Sequence, residues 1–107
     1  MFPFFRTKRG AELEQFARSL AEDLAKRYPP ELDKNPSKHP SVNRLTRILE
    51  DTCQKAAEFQ QTRGLGVFGK AKFGNTFKWA LADLGYRKEF VDVATEAIIV
   101  YISKKKS

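Results

Sequence analysis

Cysteine, histidine and tryptophan are nearly absent from this sequence, with one of each among 107 residues. With Cys53 alone, no disulfide can form within the chain, which fits a reducing cytoplasm. His39 has no second histidine and Cys53 is far from it in sequence, so no zinc set is expected and no cofactor is implied. No window holds about 18 consecutive apolar residues, so no membrane span is expected. The run around Phe2, Phe4 and Phe5 is too short for a signal peptide, and its positive charge follows the apolar stretch instead of preceding it.

Acidic residues are missing from particular places. None occurs between Phe59 and Ala82, FQQTRGLGVFGKAKFGNTFKWALA. That stretch holds Arg63, Lys70, Lys72, Lys78, four glycines, four phenylalanines and the tryptophan, Trp79. None occurs between Lys34 and Leu49 either, where Arg44 and Arg47 lie. The formal charge is +7. Its sign favours an anionic partner such as nucleic acid or an acidic protein surface.

Apolar spacing predicts an all-α chain: a compact four-helix domain spanning 1–107, with antiparallel neighbouring helices. Residues 1–9 form an aromatic and basic arm, 29–40 a proline-rich loop and 104–107 a basic tail. The first helix runs from about Gly10 to Tyr28, on a stripe of Leu13, Phe16, Ala17, Leu20, Ala21 and Leu24. Glu12 and Glu14 are placed in its first turn. Pro29 and Pro30 stop it. Ser41 caps the second helix, which reaches about Thr62 and buries Leu45, Ile48, Leu49, Thr52, Ala56 and Phe59.

The third helix begins at Val67 or Lys70 and ends at Leu84, with Phe73, Phe77, Ala80, Leu81 and Leu84 inward. Gly85 is its left-handed cap. The fourth runs from about Lys88 to Ser103. Its apolar arc is wide, as in a central helix or one shared with a second subunit. A homodimer would then form through Ile98, Ile99 and Ile102.

Three constellations bear on function. Gly64 to Lys70, GLGVFGK, fits the spacing of a nucleotide-binding P-loop up to its lysine. Ala71 stands where Ser or Thr must hold magnesium, and a polar helical segment precedes it instead of a strand. Nucleotide hydrolysis is not expected. Glycines before a helix do leave backbone N–H groups for an anion. The simpler reading is that they only make the turn.

The second constellation is Trp79, which shares a helical face with Phe68, Lys72, Asn75 and Thr76. If exposed, it could stack bases while Lys72 and Lys78 meet phosphates. If Phe2, Phe4 and Phe5 cover it, the face is only packing. Large aromatics are mostly buried, which favours the second alternative. The third is Gly74, inside a helix at a cost of roughly 1 kcal/mol against alanine. Either close helix packing or backbone access can explain it.

No catalytic set emerges. The carboxylate pairs are adjacent in sequence and point apart on a helix, and Cys53 reads as a small core residue. The expectation is a small basic, non-enzymatic binding module for an anionic partner, nucleic acid first. Its contacts would be Arg63, Lys70, Lys72, Lys78, Trp79, Phe68 and Asn75, with Arg44 and Arg47 as secondary ones. The alternative is a protein-interaction or homo-oligomeric helical module with no nucleic-acid role.

Overall fold

The computed structural model describes residues 8–64 and 66–104. The elements are α1 (Lys8–Arg27), α2 (Pro30–Lys34), a 3-10 turn (Pro36–Lys38), α3 (Val42–Arg63), α4 (Val67–Leu84) and α5 (Lys88–Lys104). The four long helices form a helical bundle, as the periodicity predicts. Glu12 and Glu14 fall beyond the first turn of α1, because the helix already begins at Lys8. Phe2, Phe4, Phe5 and the tail after Lys104 lie outside the described residues.

Helix ends follow from local chemistry. The Ser41 hydroxyl accepts from the Arg44 N–H at 3.1 Å and caps α3. Gly64 closes α3 with φ 64, and Gly85 closes α4 with φ 103. At Gly85 the Tyr86 N–H reaches back to the Leu81 carbonyl, the reverse turn that a glycine permits. The Lys34 ammonium lies 3.5 Å from where a Cβ on Gly85 would sit, so a cation rests at the negative end of α4.

The bundle has a definite arrangement. α1 packs on α3 and α4, and α5 packs on the same two, so α3 and α4 occupy opposite corners. Arg27 meets Asp51 while Arg63 meets Glu12, so α1 and α3 run antiparallel. Along α4 the partners of α1 advance together. Glu14 meets Lys72, Phe16 stacks near Phe73, and Glu22 lies beside Asp83 and Leu84. These two helices, not consecutive in the chain, run the same way.

Two aromatic clusters mark the ends. Phe16 and Phe59 stack at 4.2 Å with Phe73 beside them. At the other end Tyr28 and Tyr86 both lie within 5 Å of the Phe90 ring centre. Between them sit Leu20, Leu24, Ile48, Phe77, Leu81, Ile98 and Ile102, all essentially sealed from water. Leu84, expected inward, is 37% exposed at the last residue of α4, beside Glu22 of α1.

The segment 29–40, expected to be a loop, is instead folded over the end of the bundle. Pro29 and Pro30 start α2, where a missing N–H costs nothing. The Asn35 side chain then accepts from the Ser37 N–H to start the 3-10 turn. The segment is held by Asp33, whose side chain is almost completely buried. Asp33 accepts from the Tyr28 hydroxyl at 2.9 Å and from the Arg87 backbone N–H at 2.8 Å. It also accepts from the Arg87 guanidinium at 3.3 Å. The Tyr28 hydroxyl touches His39 Nε2 at 3.0 Å, and the Tyr86 hydroxyl donates to the Tyr28 carbonyl.

Burial alone pushes the Asp33 carboxyl upward. The Arg87 N–H, then its guanidinium, then the Tyr28 hydroxyl outweigh that and hold Asp33 below the usual carboxylate range. Gly74 is explained by packing. A Cβ there would lie 2.6 Å from Ile99 Cδ1, so the glycine lets α5 approach α4.

Asp33→Ala strands a backbone N–H and a hydroxyl, and should cost about 2–4 kcal/mol at neutral pH. Because the folded pKa is lowered, this stabilisation is complete above the unfolded value of 3.8 and disappears as pH falls through the folded one. In urea unfolding the difference between the two proteins should therefore narrow in acid; a pH-independent difference would contradict the assignment. At Gly74 the helix gain from alanine, roughly 1 kcal/mol, opposes the contact with the end of Ile99. Gly74→Ala should be near neutral, whereas Gly74→Leu should cost about 1–3 kcal/mol from overpacking.

Candidate binding surface on the outer face of α4

α4 is apolar on two sides. One side carries Phe73, Phe77 and Leu81 into the core. The opposite side carries Phe68, Lys72, Asn75 and Trp79 at spacings of four, three and four, which align them along one helix face. Phe68 is 89% exposed and Trp79 63% exposed. Among the described residues none encloses Trp79; the expected cover of Phe2, Phe4 and Phe5 lies outside them. The helix presents core-like residues to α1 and α5, and a second aromatic face is left over.

Trp79 forms one wall of a cleft of about 270 Å³ with Arg18, Thr76, Ala80 and Asp83. A smaller hollow continues it toward Glu22 and Leu84 along the seam of α1 and α4. Trp79 thus borders a polar trough in which Arg18 and Asp83 are both present. Lys78 is exposed on the other flank and, among the described residues, makes no ion pair.

The remaining expected contacts do not gather here. Lys70 is nine positions from Trp79, about two and a half turns, so it leaves the opposite side of α4 and is half-buried. Arg63 ends α3, pairs with Glu12 at 3.1 Å and lies 5.6 Å over the Phe59 ring. Arg44 and Arg47 are exposed on α3, at the opposite corner of the bundle. Lys72 does lie on the aromatic face, with its ammonium 3.4 Å from Glu14. A stretch without acids in sequence is therefore not without acids in space, because α1 carries Glu12 and Glu14 to its cations.

The glycine turn before α4 has the expected form. Gly66 begins the helix with no side-chain cap and no acid follows in the first turn. The motif lies between two helices, so no strand supports a P-loop. The Cys53 thiol is buried, and burial followed by the nearby Glu50 pushes it up to about 11, leaving it inert as a nucleophile. Among the described residues no group of three His, Cys, Asp or Glu could hold a metal. Among them, too, no helix is long and apolar enough to cross a membrane.

Arg18 and Asp83 line the cleft beside Trp79, and nothing in the sequence alone brings them together. They lie 65 positions apart, and only the parallel contact of α1 and α4 joins them. If the outer face of α4 carries no packing load, Phe68→Ala and Trp79→Ala should each change stability by no more than about 0.5 kcal/mol. Phe77→Ala, in the core, should cost about 3–5 kcal/mol in the same denaturant titration. A large loss at Trp79 would mean that the indole is covered. In comparisons with known proteins, no family model, no curated protein and no solved structure matches this chain.

Proposed function

We propose that this chain is a binding module that holds a partner protein with an acidic surface against the outer face of α4. The observation that carries the reading is the pair of exposed aromatics, Phe68 and Trp79, on one face of a rigid helix. They stand about 16 Å apart along the axis. Large exposed aromatics are the usual anchors of protein interfaces, since they bury much area at little entropic cost. The net charge of +7 steers the approach of an acidic partner. The contact itself is then mainly aromatic, because Lys72 already faces Glu14 and Asp83 lines the cleft.

Single-stranded nucleic acid is the second reading. It is favoured by Lys78, which stands beside Trp79 and has no acidic partner among the described residues. An exposed pair such as Lys72 with Glu14 contributes only about 0–1 kcal/mol, so a phosphate could draw Lys72 away. The acids along α1 oppose this, and protein is therefore the first reading.

A photocrosslinker placed at Asn75 tests both in cells expressing the chain. The expected product is a discrete protein adduct, resistant to nuclease and lost with Trp79→Ala. Nuclease-sensitive adducts would move the assignment to nucleic acid. No adduct at all would remove the docking surface. Under the nucleic-acid reading, Glu14→Gln should strengthen oligonucleotide binding several-fold and steepen its salt dependence by about one phosphate contact. Under the protein reading, that variant leaves oligonucleotide titrations flat.

A further inference from the structure

Ile98 and Ile102 cannot make the expected homodimer, because both are core residues at 1% and 0% exposure. Ile99 leans on Gly74 and closes the α4–α5 contact. Unanswered charge lies elsewhere, along the seam of α1 and α4. Thr76 and Trp79 stand at one end of its two hollows, Glu22 and Leu84 at the other, and Arg18, Ala80 and Asp83 line both. Arg18, Glu22 and Asp83 are all exposed. One turn before Arg18 and Thr76, Glu14 and Lys72 neutralise each other at 3.4 Å. Among the described residues Arg18, Glu22 and Asp83 form no ion pair, although a cation and two carboxylates share one hollow.

Charge along the seam selects an occupant. Arg18 and Glu22 are four positions apart on α1, a rise of about 6 Å. A ligand of one sign would be attracted at one of these positions and repelled at the other. A ligand with an acid against Arg18 and a base against Glu22 and Asp83 is attracted at both. Residues three or four apart on a helix have that separation and share a face. An extended strand could match the spacing, but α1 and α4 use their backbone groups internally and offer it no partners. A helix arrives with its own backbone satisfied. The small side chain of Ala80 lets it come close, and Trp79 offers an apolar wall at its flank.

We infer, on the reading of α4 as a protein-docking face, that the α1–α4 seam receives a helix of the partner carrying an acid and a base one turn apart. The acid meets Arg18 and the base meets Glu22 and Asp83. Exposed ion pairs add little affinity, so these charges fix the register and direction of the helix while Trp79 anchors it. The partner remains acidic overall, as the chain's charge of +7 favours, and the base is a local exception.

The segment captured by the Asn75 photocrosslinker, sequenced by mass spectrometry, is to be made as a synthetic peptide. It is titrated into the full chain while Trp79 fluorescence is followed. Its expected sequence carries Asp or Glu three or four positions from Lys or Arg, with an apolar residue on the same face. The peptide should gain helical dichroism on binding. Arg18→Glu should weaken binding about five- to tenfold, and replacing the peptide's acid with lysine should restore most of the loss. Glu22→Lys with Asp83→Lys should act in the same way against the peptide's base. Both losses should shrink as salt rises, with melting temperatures unchanged. No adduct, or only a nuclease-sensitive one, would remove the protein-docking reading and this inference with it. A captured peptide that binds every charge variant equally would leave the docking face standing and overturn the charge-ordered helix alone. So would a captured segment that lacks the paired charges or stays extended when bound.

Discussion

The buried carboxylate of Asp33 is the joint on which the arrangement of this bundle depends. It sits in a five-residue helix too short to be stable alone, and it binds Arg87 at the start of α5 and Tyr28 just past the end of α1 at once. A charge that deep is tolerable only with several donors, and it has three. The result is a clasp that fixes α1 and α5 at one end of the bundle. Tyr28 and Tyr86, stacked on each other, and Phe90, tilted against both, fill the space beneath it. At the other end the Phe16, Phe59 and Phe73 stack locks α1 between α3 and α4.

With both ends fixed, α4 has no freedom to turn its second aromatic side inward. Gly74 draws α5 against one flank and α1 lies along the other. Phe68 and Trp79 are thereby held outward on a helix that cannot rotate without exposing Phe73 and Phe77. The same constraint leaves Val93 and Val100 outward on α5. A protein of this size has limited surface, and two apolar strips on it point to contacts with other molecules.

Much of the fold was legible in the sequence because it is local. Helical spacing, the Ser41 cap, the proline stop and the Gly85 turn each depend on a few neighbouring residues. The segment 29–40 was misread because its order comes from Asp33, whose partners lie at Tyr28 and 54 positions away at Arg87. The face of Trp79 could be drawn from a helical wheel, but its exposure could not. The cationic patch suffered most. Arg63 and Lys72 look unopposed along the chain, and only the packing of α1 shows that Glu12 and Glu14 oppose them. Arg44 and Arg47 are distant because α3 and α4 sit diagonally, which no spacing rule conveys.

The packed bundle holds the aromatic face of α4 open to solvent. Trp79 is the only tryptophan, so its fluorescence reports that face without interference. Iodide quenching of the native chain measures it most directly. Long-wavelength emission is expected, with quenching close to that of the unfolded chain. Short-wavelength emission that iodide does not reach would show the indole enclosed, and the surface described for α4 would not exist.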